Sequence, residues 1–179
     1  MPVDPLVVHV ARLRRRPGTI WYEVRGAPAE LLGDAGPKSE ADSTVPAGAE
    51  IVCDVELESF MGGVMVTGTV SAPWVGVCRR CAAPVGGELV VAVRERYADP
   101  VRDGEPPDDE AYPLVDAELD LRPLARDALV LELPLTPLCR TSCKGLCPTC
   151  GADRNEEDCG CVAPRDPRWA NLDVLRSSP

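Results

Sequence analysis

The sequence predicts an α+β fold: an antiparallel β-sheet covered by a helix, with a small cysteine-rich zinc-knuckle appendage at the C-terminus. Three observations predict it. Between residues 51 and 97, apolar residues recur at every second position in segments joined by short turns, the mark of half-buried strands. From 120 to 134 the apolar spacing lengthens to that of an amphipathic helix. Then Cys139, Cys143, Cys147, Cys150, Cys159 and Cys161, out of 9 cysteines in the chain, crowd into a stretch with few apolar residues.

Each element follows from local pattern. The segment DPLVVHVARLRRRPGT predicts a short strand through Leu6, Val8 and Val10, then a basic turn at Arg12, Arg14, Arg15 and Arg16. A loop rich in Pro, Gly, Ala and acids is expected over 26–48. Ile51, Cys53, Val55 and Leu57 alternate with mostly polar neighbours and predict a strand. Met61-Gly62-Gly63 reads as a hairpin turn, leading to a strand in which Val64, Val66 and Val70 share a face with Gly68. PWVGVC and ELVVAVRERY predict two more strands about the turn RRCAAPVGG, and four adjacent strands with tight links imply antiparallel pairing. Residues 98–118 form an acidic, Pro-rich linker without periodicity. Leu121, Leu124, Ala128 and Leu131 stand at helical spacing, with Asp120 at the N-cap position, Pro123 in the tolerant first turn and Pro134 as the stop. The chain thus divides into an α+β domain over 1–133 and a metal-binding appendage with its tail over 134–179.

Composition limits the functions available. A chain of 179 residues with 45% hydrophobic content can build one real core, and with 4% aromatics that core rests on Val, Leu and Ala. A formal net charge of -10 argues against a broad electrostatic grip on nucleic acid, although a local basic patch or a basic protein partner stays compatible with it. The N-terminus lacks the apolar run of a signal peptide, and no stretch approaches the length of a membrane span. A cytoplasmic location follows as the simplest expectation, and thiols there stay reduced, which favours metal binding over disulfides.

Zinc takes four ligands in a tetrahedron, with sulfur at about 2.3 Å. CPTCG fits the usual knuckle: two residues between Cys147 and Cys150 let both thiolates turn inward, and Gly151 permits the turn that follows. Cys159 and Cys161 can close a small loop with them, while Cys143 competes for one of those places and Cys139 ranks below it. Four of Cys143, Cys147, Cys150, Cys159 and Cys161 are therefore the expected ligands. Cys78 and Cys81 in CRRC form a second pair, able to belong to a site of their own or to complete one with Cys147 and Cys150. Cys53, on the apolar side of its strand, reads as core, which leaves eight thiols, the number that two sites of four would use. Zn2+ is the expected ion, with an iron–sulfur cluster as the alternative that also takes four thiolates.

Catalytic readings fit less well. CRRC lies at a strand–strand turn, not at the strand–helix junction of a thiol oxidoreductase. An all-cysteine set closes around zinc and leaves no position for a reactive water. His9 is the only histidine, and no spacing of Ser and Asp suggests a triad. No small-molecule substrate is evident. The densest positive run, Arg12, Arg14, Arg15 and Arg16, and the pair Arg79 and Arg80 are the candidate RNA contacts, with a solvated basic turn as the competing reading.

CRRC after two strands, LDLRPLARDALVLELPLTPLC, CKGLCPTCG, Asn155, the Cys159/Cys161 pair and DPRWANLDVL together resemble the YceD-like family, the large ribosomal RNA subunit accumulation proteins of bacteria and plastids. The match runs from about residue 5 to 175. The resemblance implies a role in accumulating 23S rRNA and assembling the large subunit, with ribosomal RNA, a large-subunit ribosomal protein or an assembly intermediate as partner. It supplies no catalytic residues. ADRN stands where relatives carry an Asn-Leu-Asn pattern, so Asn155 is the matching residue. A non-enzymatic assembly factor with a structural zinc is the resulting expectation. The alternative is a thiol/redox or nuclease enzyme acting in RNA processing.

Overall fold

The computed structural model describes residues 4–16, 18–32, 43–99, 111–162 and 168. In chain order its elements are β1 (Val7–His9), α1 (Ala11–Arg15), β2 (Thr19–Pro28), a 3-10 turn (Ala29–Leu32), β3 (Ser43–Thr44), β4 (Glu50–Phe60), β5 (Gly63–Val77), β6 (Pro84–Ala98), β7 (Tyr112–Pro113), β8 (Glu118–Asp120) and α2 (Leu121–Glu132). The main sheet runs β2-β4-β5-β6-β7, with β3 added beside the far end of β5, while β1 pairs with β8 apart from it. Every pairing is antiparallel except β6 with β7, which is parallel.

Two of the expected strands are one. Residues 64–70 and PWVGV of the segment PWVGVC belong to the single strand β5, paired with β6 along its whole length from Gly63↔Ala98 to Val77↔Pro84. Pro73 does not divide it, because the last β4 partner is Val52↔Ser71 and the proline falls where β5 borders β6 and no longer borders β4. The hairpin therefore projects beyond β4. Its tip, residues 78–83, carries Cys78 and Cys81.

Other expectations shift for local reasons. No strand is expected over 19–25, yet Ile20, Tyr22 and Val24 alternate with Trp21 and Glu23, and β2 pairs them with Leu57, Val55 and Cys53. The loop expected over 26–48 shortens accordingly, since β2 extends to Pro28 and the 3-10 turn and β3 lie within that range; residues 33–42 lie outside the described ones. The N-terminal strand forms but joins β8, and the basic turn is the short helix α1. Of the acidic linker over 98–118, residues 100–110 lie outside the described ones, and its flanks form β7 and the start of β8.

The core sits on one face of the sheet. Ile51, Cys53, Val55 and Leu57 of β4 and Val64, Val66 and Val70 of β5 are all fully buried there. Leu121, Leu124, Ala125 and Leu129 of α2 join the same core. Asp120 caps the helix as expected, its carboxylate accepting from the Arg122 amide at 2.9 Å. Leu131 does not face inward: two residues on a helix turn through about 200°, so it cannot share a side with Leu129, and it is 84% exposed. Tyr97 closes the far end of the core, stacking on Tyr112 with centroids 5.2 Å apart and donating its hydroxyl to the Asp120 carbonyl at 2.7 Å.

Gly68 shows how tightly β4 and β5 approach. A Cβ there would stand 2.2 Å from the Asp54 carbonyl oxygen and 2.7 Å from Val55 Cα, both backbone atoms that cannot swing aside. Gly68→Ala is expected to destabilise the fold by about 1–3 kcal/mol, the usual scale of overpacking. Urea unfolding followed by far-UV circular dichroism checks this as a lowered midpoint with an unchanged slope.

Candidate metal centres

Eight of the cysteines gather into two quartets. Cys78, Cys81, Cys139 and Cys143 form the first, Cys147, Cys150, Cys159 and Cys161 the second, and within each all four sulfurs lie within 4.8 Å of one another. Cys53 takes part in neither; it is fully buried in the sheet core, which pushes its thiol up to about 12.

The hairpin supplies half of the first quartet. The Cys78 amide donates to the Ala83 carbonyl and the Ala82 amide to Cys78, each at 2.8 Å, so the turn curls and brings Cys78 and Cys81 to one side. The other half arrives with the chain after α2. Ser43 donates its hydroxyl to the Pro134 carbonyl at 2.6 Å, and the Arg79 amide donates to Pro137 at 2.9 Å, laying residues 134–143 against the hairpin tip. Arg80 then locks the loop: its guanidinium donates to the Cys143 carbonyl at 2.8 Å, and its own carbonyl accepts from the Leu146 amide at 2.9 Å. Gly145 is required here. Its φ is +73°, and a Cβ would stand 2.8 Å from the Arg80 carbonyl oxygen.

The second quartet is a loop with little apolar support. The Gly151 amide donates to the Cys147 carbonyl at 2.9 Å and the Cys147 amide to Ala152 at 2.8 Å, the tight turn expected of CPTCG, with Gly151 at φ +78°. Leu146 and Asp153 pair across it as an isolated bridge. Cys159 and Cys161 come in from the following turn, where the Gly160 amide donates to the Asp158 carboxylate at 3.2 Å.

The donor set suits a soft ion in tetrahedral coordination. Four sulfurs about 2.3 Å from a central ion stand about 3.8 Å apart along each edge. Cys78 and Cys143 sulfurs are 3.8 Å apart and those of Cys81 and Cys139 3.7 Å, well beyond the roughly 2.05 Å of a disulfide. The electrostatics agree. The amide N–H of Cys139, joined by those of Arg80 and Cys81, draws the Cys78 thiol down to about 6. The amides of Cys150 and Thr149 do the same for Cys147, also to about 6. Cys139 and Cys161 are pushed up to about 12, because Cys143 and Cys150 respectively hold their protons between crowded sulfurs. A cation entering either quartet displaces those protons and relieves the crowding of like charges.

The structure thus groups the thiols in its own way. Cys143 stands with Cys78, Cys81 and Cys139, and the remaining four candidates stand together. Cys139, set below Cys143 by spacing, is a full member of the first quartet. A signal was present: once the knuckle is closed by Cys159 and Cys161, Cys139 and Cys143 are what remains to complete CRRC. The arginines, in contrast, do not come together. Arg12, Arg14 and Arg15 lie on α1, beside the β4–β5 turn at Phe60, Met61 and Gly62, while Arg79 and Arg80 lie past the opposite end of β5. At about 3.4 Å per residue a strand of that length separates the two groups by on the order of 45 Å. Arg14 pairs with Asp99, and Arg80, although exposed like Arg79, Arg12, Arg15 and Arg16, is engaged in the cysteine loop. His9, on β1, faces Glu118 at 3.5 Å.

A sheet-centred protein that presents two tetracysteine clusters at one end of a long hairpin belongs to the class of cysteine-rich proteins able to hold metal ions. The family model described as large ribosomal RNA subunit accumulation protein YceD matches residues 66–176. An uncharacterized protein of Mycobacterium tuberculosis is 41% identical over 173 residues, covering 94% of this chain and 80% of the relative. One of Mycobacterium leprae is 34% identical over 172 residues, 95% of this chain and 77% of the relative. A maize protein named large ribosomal RNA subunit accumulation protein YCED homolog 1, chloroplastic, is 40% identical over 55 residues, 31% of this chain and 19% of its own. No solved structure matches. The chain belongs to the YceD family.

The two quartets make separable predictions for metal content. Cys53→Ala is expected to leave the bound metal unchanged, and Cys81→Ser to lower it. Elemental analysis of protein purified under reducing conditions, normalised per chain, reads both. Equal loss in the two variants would show that Cys53 is a ligand after all.

Proposed function

We propose that this protein is a non-enzymatic factor of ribosome biogenesis that supports 23S rRNA accumulation and large-subunit assembly in the cytoplasm, with structural zinc in its cysteine quartets. The observation that carries the reading is family membership over 66–176, in a family described by large ribosomal RNA subunit accumulation. The site's chemistry supports it. Four thiolates fill a tetrahedral zinc and leave no position for a substrate or an activated water. The close grouping of each set of sulfurs, within 4.8 Å, gives room for one ion and little for the several irons of a cluster. In this reading residues 134–162 are an appendage fastened to the hairpin tip, and the partner is ribosomal RNA, a large-subunit ribosomal protein or an assembly intermediate.

Depleting the protein in its host should lower 23S relative to 16S rRNA, and wild type supplied again should restore the balance. A variant lacking residues 139–161 should fold its sheet yet fail to restore it, because the loops ordered by metal on a rigid hairpin are the natural recognition surface. Full restoration by that variant would place recognition elsewhere on the sheet.

Arg12, Arg15 and Arg16 are exposed, with Arg15 beside Phe60 and Met61, and form the most closely spaced run of the basic set to meet RNA. Replacing all three with Ala should weaken binding to 23S rRNA fragments and reduce the magnitude of the log–log salt slope by roughly 2–3, one ion-release increment for each lost phosphate contact. An unchanged affinity and slope would move the contact from RNA to a ribosomal protein.

A further inference from the structure

The two quartets are joined by one side chain. Asn155 lies in the loop between Cys150 and Cys159, within the second quartet's stretch of chain, yet its side chain is spent largely on the first. Its Nδ2 donates to the Cys143 sulfur at 3.4 Å. Its Oδ1 accepts from the Lys144 amide, the residue after that ligand, at 2.8 Å. The second Nδ2 hydrogen goes to Asp153 Oδ1 at 2.6 Å, and that same carboxylate oxygen also accepts from the Asn155 amide at 2.8 Å, which orients the side chain. The orientation of the carboxamide is fixed, because a backbone N–H can only donate and Oδ1 must therefore face Lys144. Around this contact the backbone is bonded too, with the Arg154 amide donating to Gly145 at 3.0 Å.

We propose that Asn155 is a positioning residue that couples the two metal centres: the second centre, by ordering the loop that carries Asn155, holds an N–H donor on a ligand sulfur of the first. The proposal rests on the reading of both quartets as metal sites. A thiolate bound to a cation still carries excess negative charge, and an N–H aimed at it stabilises that charge and fixes the direction of the sulfur lone pairs. Groups in this relation to a metal ligand commonly change metal affinity by 10–100-fold when removed. The coupling free energy is reciprocal, but the two sides differ in what holds them in place. The first quartet is built on the hairpin, with Cys78, Cys81 and Cys143 buried, whereas in the second Cys147 is the buried member. The second loop's order depends on its own ion, and the benefit passes to the first through Asn155. The first centre is thereby made sensitive to whether the second is loaded, without sharing a ligand with it.

The experiment follows zinc release from the full-length protein to a colorimetric chelator, with the cobalt-loaded form read by its thiolate-to-cobalt charge-transfer band. Cys159→Ser removes a ligand of the second centre and leaves the release phase of the first to be followed alone. Asn155→Ala removes the whole bridge. Asn155→Asp retains an acceptor for the Lys144 amide but loses both Nδ2 donations, to the Cys143 sulfur and to Asp153, and adds a negative charge beside them. Expected for both Asn155 variants is two metals bound per chain, a release from the first centre faster by about tenfold or more, and a shifted charge-transfer band. Cys159→Ser should accelerate the first centre to a similar degree, and adding Asn155→Ala to it should change nothing further, since both act on one contact. Wild-type release rates and spectra in the Asn155 variants would overturn the coupling, as would multiplicative effects in the double variant. Wild-type protein that binds no metal at either quartet would instead overturn the metal reading itself, and so the two failures are distinguishable.

Discussion

The sulfur-to-sulfur meeting of Cys81 with Cys139 and of Cys78 with Cys143 spans 58 and 65 residues of chain, and the placement of residues 134–147 against the hairpin tip goes with it. Closing loops of that length costs entropy that grows only slowly with length, but something must offset it. Here the sheet has done so beforehand. The β5–β6 pairing over fifteen residues on each strand makes a rigid lever, α2 returns the chain along the core, and Ser43 and Arg79 hold the approach through Pro134 and Pro137. The thiols of the first quartet are therefore brought together by a fold that has its own hydrophobic reason to form. A metal bound there tightens a junction that already exists.

The second quartet has a different physical status. Residues 144–162 contribute almost nothing to the core, and apart from the Leu146 amide on the Arg80 carbonyl their backbone bonds are short-range ones within the loop. Conformational entropy opposes such order, and ion binding is the main force available against it. One protein thus carries two chemically alike cysteine quartets with different support, one resting on the sheet and one on a loop that has little but a bound ion to order it. The contacts of Asn155 with Cys143 and Lys144 and of Arg154 with Gly145 are the places where those two supports meet.

Charge is distributed along the same lever. The exposed arginines of α1 sit by the β4–β5 turn, and the cysteine clusters sit at the other end of β5, so a partner that engages both must be extended on the scale of the hairpin. In a chain of net charge -10, the described residues keep exposed cations at both ends of the hairpin, Arg12, Arg15 and Arg16 at one and Arg79, Arg80, Arg140, Lys144 and Arg154 at the other.

Much of this was legible in the sequence, because it depends on local periodicity and on side-chain chemistry. The alternation in IVCDVELESF, the cap at Asp120, the glycine after CPTC and the exclusion of Cys53 from the thiol clusters all follow from neighbours within a few residues, and the family resemblance rests on the same short motifs. What tertiary structure decided is of another kind. That residues 64–77 form one strand depends on where β4 ends, which no local pattern records. That Leu129 and not Leu131 faces inward depends on which side of α2 meets the core. That Cys139 and Cys143 stand with Cys78 and Cys81, and that Arg80 serves the cysteine loop while Arg12 and Arg15 lie a strand's length away, depends on the path of the chain back to the hairpin tip. Sequence determines which groups can bind an ion; distance across the fold determines which of them could do so together, because coordination is a property of positions in space and spacing along the chain constrains those only over a few residues.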